Sequence, residues 1–93
     1  IFVIKPMVIG DYYEIKDIIN LAKTNDIRCI ITNMLDGAIN RMASIHIASA
    51  NNIRNACGLS MDNLFDSDFY KTPKIINGHI SISTSDGLGL NDL

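Results

Sequence analysis

The chain has 93 residues, a net charge of -2 and a hydrophobic fraction of 47%, with aromatics at only 6% and no tryptophan. That length holds at most one small domain, and the charge leaves neither a basic footprint for nucleic acid nor a polybasic run for a membrane surface. A lone domain this small has little interior for so many Ile, Leu, Val and Met side chains, so part of the apolar surface is expected to be covered by something outside these residues.

The chain opens on Ile1 to Pro6, I-F-V-I-K-P. A continuous apolar run of this kind reads as a parallel-sheet strand buried on both faces. Pro6 lacks an amide hydrogen and pushes Lys5 towards an extended conformation, which ends the strand there. Lys5 therefore lies at the carboxyl end of a strand in a βα unit, the end at which parallel α/β proteins bind ligands. A rim lysine that only snorkels to solvent is the bland alternative. The start inside a core strand, without methionine, reads as a cut chain.

Met7 to Gly10 is expected to be a short loop. Asp11 precedes Glu14 by one helical turn, a capping-box arrangement. Ile15, Ile18, Ile19 and Ala22 then form one apolar stripe, with Glu14, Lys16, Asp17 and Lys23 mostly off it. Lys23 suits the negative end of the helix dipole, and Thr24-Asn25-Asp26 is turn chemistry that stops the helix.

Ile27 to Thr32 contains a second strand around C-I-I, which runs into Thr32-Asn33-Met34-Leu35-Asp36-Gly37. A second helix starts near Gly37, with Ile39, Met42, Ala43, Ile47 and Ala50 expected on its buried face and Asn51-Asn52 as its breaker. A third short strand is expected around Asn55 to Gly58, followed by Gly58-Leu59-Ser60 as its carboxyl-end loop and a short helix over Met61 to Phe65. The order βαβαβ, with these crossover lengths, fits parallel neighbours. From Lys74 to Ser83 the sequence alternates around Asn77-Gly78, a strong hairpin signal. Thr84 to Leu93 reads as a polar, glycine-containing tail.

Three strand-end loops would share one rim: Lys5-Pro6, Thr32 to Asp36, and Gly58 to Ser60. A lysine, small hydrogen-bonding residues and a glycine suit an anionic organic ligand, although such rims occur in many α/β proteins. His46 shares a face with Met42, Ala43 and Ala50 and reads as a packed, hydrogen-bonded histidine. His79, beside the turn, reads as solvent-facing. Asp62, Asp66 and Asp68 lack the glycine and terminal glutamate of a calcium loop and read as a solvated acidic helix end. Cys29 and Cys57 stand in no metal-type spacing and read as reduced structural thiols. No run approaches the length of a membrane span and no secretory leader is read, so a cytoplasmic protein is expected.

Three stretches taken together carry a resemblance: F-V-I-K-P-M-V-I-G, C-I-I-T-N-M-L-D-G-A-I-N-R-M-A-S-I-H-I-A-S-A, and A-C-G-L-S-M-D-N-L-F. In this order and spacing they resemble the last third of the enolase superfamily. The match is closer to the muconate-lactonising-enzyme subgroup and, within it, to o-succinylbenzoate synthase-like members. I-N-G-H-I-S-I-S and D-G-L-G-L are similar to that subgroup's ending. The resemblance implies an α/β fold: strands six to eight of a (β/α)-type barrel over residues 1–70, then a hairpin and tail over 71–93 returning towards a capping domain.

The resemblance also implies roles. Lys5 matches the sixth-strand lysine, a general acid/base in racemases and epimerases and an enediolate-stabilising group in the synthase. Thr32, Asn33 and Met34 match a stretch that binds substrate carboxylate, although Met34 cannot donate the hydrogen bond a serine would. Asp36 stands where many relatives carry the longer glutamate. Gly58, Leu59 and Ser60 match the eighth-strand loop that shapes the substrate pocket. Dipeptide epimerases usually offer an acidic pair there; Ser60 and Met61 before a single Asp62 argue against that activity. Magnesium is the implied cofactor, with its ligands outside this chain. The implied partners are a small carboxylate substrate and the remaining barrel and capping domain, and open strand edges give a route to homo-oligomers. Such a barrel needs on the order of 250 residues, so this stretch alone is expected to be inactive. A non-catalytic half-barrel serving as a structural or binding module is the reading from another class.

Overall fold

The computed structural model describes residues 1–60 and 70–92. The expected short helix over Met61 to Phe65 and the acidic cluster of Asp62, Asp66 and Asp68 lie outside them.

The nucleus is a parallel pair of strands, β1 (Phe2–Ile4) and β2 (Cys29–Ile31), in the register Phe2↔Cys29, Val3↔Ile30, Ile4↔Ile31. The amide of Thr32 donates to Ile4 O at 2.9 Å and that of Phe2 to Arg28 O at 2.8 Å, which fastens both ends of the pair. Between β1 and β2 come α1 (Pro6–Ile9) and α2 (Tyr12–Thr24), and α3 (Ala38–Ala50) follows β2. Ile15, Ile19 and Ala22 from α2 and Met42, Ile45 and Ala48 from α3 form one cluster with Ile4, Cys29, Ile31 and Leu59. Both helices thus bury the stripe of Ile4 and Ile31. Val3 points the other way along the pleat and remains 57% exposed. The expectation of a strand buried on both faces is corrected accordingly, because both crossover helices contribute to the same side.

The stretch expected as a loop over Met7 to Gly10 starts instead as the single-turn helix α1. Pro6 occupies its first turn, where a missing amide costs nothing and a fixed φ favours the helix. Lys5 is its N-cap and remains extended, and Gly10 closes the turn with its amide on Pro6 O at 2.8 Å. Asp11 caps α2 as expected: Oδ1 accepts from the amides of Tyr13 at 2.7 Å and Glu14 at 3.1 Å. Ile15, Ile19 and Ala22 are buried and Ile18 half-buried, which is the predicted stripe. Lys23 lies in the last turn of α2, as expected, and also reaches across to donate to Asn51 O at 3.1 Å at the end of α3.

The expected face of α3 is displaced. Ala38, Arg41, Met42, Ser44, Ile45 and Ala48 are buried, whereas Ile39 is 52% exposed and Ala50 faces solvent. The helix carries two competing apolar stripes, and periodicity alone does not choose between them. Its end is as expected: Asn51 donates Nδ2 to Ile47 O at 2.8 Å, and Asn52 follows with φ +55°.

The third strand is reduced to one parallel bridge, Thr32↔Gly58. Gly58 donates to Ile31 O at 3.0 Å and Asn33 donates to Gly58 O at 2.9 Å. Before that bridge, side chains take the place of a main-chain ladder. Asn55 Nδ2 donates to Cys29 O at 3.0 Å, and the Ile31 amide donates to Cys57 Sγ at 3.4 Å. The edge of β2 is satisfied without a regular strand beside it.

Beyond residue 69, β3 (Tyr70–Lys71) pairs antiparallel with β6 (Asn91–Asp92), and β4 (Ile75–Ile76) forms a hairpin with β5 (His79–Ile80). Asn77 and Gly78 take φ +50° and +77°, the double left-handed turn that the Asn-Gly pair predicts. The last segment is not merely a polar tail: Leu88 and Leu90 pack against the main cluster. Replacing Asp11 with alanine should lower the unfolding free energy by about 1 kcal/mol, through loss of an N-cap. Urea denaturation measures this, and Asp11→Asn should keep most of the wild-type stability.

Candidate functional site

Continuing the β1–β2 register by one residue brings Lys5 opposite Thr32, and the Thr32↔Gly58 bridge places Gly58 on the other side. By the alternation of a strand, Lys5 lies on the face of Val3 rather than the core face of Ile4. The three strand-end loops read from the sequence thus meet at one end of the sheet. The half-buried Lys5 donates Nζ to Asn33 O at 3.1 Å, so its ammonium is tethered across the ends of β1 and β2. It is not a rim lysine extended into solvent.

The Thr32 hydroxyl is enclosed, and Asn33 is only 7% exposed. Thr32 Oγ1 and both amide atoms of Asn33 have no hydrogen-bond partner among the described residues. Such atoms each cost about 1–3 kcal/mol when buried, and they are tolerated where a water or ligand supplies the missing bond or where function requires them. Met34 is exposed, and its amide donates to Asp36 Oδ2 at 3.0 Å. The buried Asp36 carboxylate therefore folds back on its own loop. Leu59 sends its side chain into the core and leaves its carbonyl at the loop, while Ser60 is exposed.

Gly58 has a steric reason to be glycine. A Cβ built there would lie 2.9 Å from Thr32 Cγ2 and 3.3 Å from Thr32 Cβ. The close approach lets the third segment reach β2 at the rim.

One residue escaped the sequence reading. Arg41, in the first turn of α3, is 2% exposed; Nε donates to Leu59 O at 2.8 Å and Nη1 to Thr72 Oγ1. The signal was present in the alternative stripe of α3, Ala38-Met42-Ile45-Ala48, which carries Arg41 at its margin. His46 is half-buried with Nε2 3.2 Å from Leu88 O, the packed histidine expected, and His79 is exposed. Cys29 and Cys57 are free thiols, and burial pushes the Cys29 thiol above its ordinary value despite the opposing charges of Lys23 and the N-terminus.

Magnesium requires several hard oxygen ligands. Asp36 is the one acidic residue in the three rim loops, and its Oδ2 already accepts from Met34. Among the described residues no three His, Cys, Asp or Glu side chains gather in a way that could hold a metal. The chain's own described rim does not fit the ion.

Gly58→Ala should destabilise the protein by about 1–3 kcal/mol through overpacking against Thr32. Adding Thr32→Ser, which removes the opposing methyl, should recover part of that loss. A double-mutant cycle from denaturant unfolding reads the coupling, and strict additivity would contradict the proposed contact.

No curated protein and no solved structure matches the chain. No helix among the described residues is long and apolar enough to cross a membrane. The family model described as enolase C-terminal domain-like matches residues 1–91. With the parallel strands, their crossover helices and the lysine-bearing strand end in place, that match over nearly the whole chain shows that it belongs to the enolase C-terminal domain-like family.

Proposed function

We propose that residues 1–93 form the C-terminal portion of an enolase-superfamily enzyme, and that the enzyme is an o-succinylbenzoate synthase-like lyase acting on a small carboxylate. In this reading residues 1–70 supply strands six to eight of a (β/α) barrel, and residues 71–93 return towards a capping domain. The remaining barrel and the cap supply the groups this chain lacks, magnesium ligands included.

The observation that supports this reading is the tethered ammonium of Lys5 at the carboxyl end of β1, beside the unpartnered Thr32 hydroxyl. A carboxylate substrate presents oxygens that can satisfy such donors. In the reaction, a base on the remaining barrel takes a proton from the carbon next to the carboxylate, and the electron pair of the broken C–H bond spreads onto the carboxylate as an enediolate. The pair then returns to form a carbon–carbon double bond as hydroxide departs from the neighbouring carbon, and the protonated base returns its proton to that hydroxide, which leaves as water. Lys5, oriented by Asn33 O and partly withdrawn from water, is placed to stabilise the negative charge as it develops. Thr32 and Asn33 orient the carboxylate, and the Gly58–Ser60 loop forms part of the pocket wall. Met34 and Asp36 shape the loop at the end of β2.

Full-length protein, supplied with magnesium, should dehydrate the synthase substrate, and Lys5→Ala should lower kcat by about 10²–10³-fold, the scale of losing one preorganised charge-stabilising donor. Circular dichroism should show the fold retained. Inactivity with that substrate, coupled with turnover of dipeptides or muconate, would move the assignment to an epimerase or cycloisomerase. Wild-type activity in Lys5→Ala would remove Lys5 from the mechanism.

A further inference from the structure

Arg41 occupies an unfavourable place for a cation. It lies in the first turn of α3, where the helix dipole disfavours positive charge, and it is almost completely withdrawn from water. Burial of a guanidinium requires specific hydrogen bonds, and those given to Arg41 join separate parts of the chain. Nε donates to Leu59 O at 2.8 Å, in the loop at the rim, and Nη1 donates to Thr72 Oγ1, just beyond β3. β3 is in turn paired with β6, and His46 on the same helix contacts Leu88 O at 3.2 Å. The planar fork of an arginine holds two such acceptors in one fixed geometry, which a lysine cannot reproduce.

We propose that Arg41 is a positioning residue that sets the Gly58–Ser60 loop according to the seating of Thr72, and so couples the C-terminal segment to the wall of the substrate pocket. Arg41 touches no reacting atom in this account. It acts through the Leu59 carbonyl, which is one residue from Gly58 and its bridge to Thr32. A C-terminal segment that shifts or lifts would withdraw one acceptor from the guanidinium and loosen the loop, with the Lys5 tether to Asn33 O left in place. The consequence is control of substrate fit rather than of the charge-stabilising step. The pocket part of this inference rests on the proposed lyase or isomerase reading; the link from Thr72 to the loop does not.

Thr72→Val removes the acceptor at nearly constant shape, and Thr72→Ser keeps it. In full-length protein, amide hydrogen exchange over residues 58–60 should accelerate by about three- to tenfold in Thr72→Val and stay near wild type in Thr72→Ser, with exchange in α2 unchanged. Steady-state kinetics should show KM for the carboxylate substrate rising by a similar factor in Thr72→Val with kcat held, a loss of binding shared by ground and transition states. Unchanged exchange at 58–60 would overturn the link to Thr72 whatever the enzyme's reaction. Faster exchange with an unchanged KM would overturn the pocket role. If wild-type protein turns over none of the superfamily substrates, the functional reading fails, and the exchange result alone decides the link.

Discussion

The parallel pairing of Phe2–Ile4 with Cys29–Ile31 is the constraint on which the remaining structure depends. It is only three residue pairs long, and a slip of one residue would turn every side chain to the opposite face. In the observed register Ile4 and Ile31 enter the core together, and the next pair along is Lys5 and Thr32 at the rim. Core and candidate site are therefore set by the same alignment. The bond from Thr32 N to Ile4 O at 2.9 Å holds the end of the ladder where the two functions meet.

Helices on one side of this short ladder do most of the stabilising. Ile15, Ile19, Ile31 and Met42 are essentially inaccessible to solvent, and burial of each such side chain is worth about 1.5–3 kcal/mol. The opposite side carries Val3 and Lys5, and there the chain leaves apolar surface open. The contrast has a functional side. A packed face fixes the strand ends, and the face left free of the core is the one to which Lys5 belongs. Polar links then join the separate parts: Lys23 to the end of α3, Asn55 to β2, and Arg41 to both the rim loop and the C-terminal segment.

The elements legible in the sequence were those fixed by local chemistry. Asp11 as N-cap, the Ile15–Ala22 stripe, the stop at Asn51-Asn52 and the Asn77-Gly78 turn each depend on residues within a few positions. The convergence of Lys5, Thr32 and Gly58 was also readable, because parallel βα units bring successive strand ends to one edge. What was not legible depended on distant partners. The buried face of α3 was decided by contacts with β2 and Leu59, not by its own two-sided apolar pattern. The third strand failed to extend because Asn55 and Cys57 side chains occupy the edge of β2, a substitution with no sequence signature. Arg41 was not singled out, because its acceptors lie at positions 59 and 72, far along the chain. The unpartnered Asn33 amide was invisible for the same reason: satisfaction is a property of the surroundings.

The most direct test of a ligand site at Lys5 is a crystal structure of the protein with a carboxylate substrate analogue and magnesium. The ligand should lie at the carboxyl ends of β1 and β2, with the Lys5 ammonium within about 4 Å of the analogue's carboxylate or enediolate-like group and Thr32 and Gly58 lining the same pocket. A ligand bound away from Lys5, with the ammonium still committed to Asn33 O alone, would contradict it.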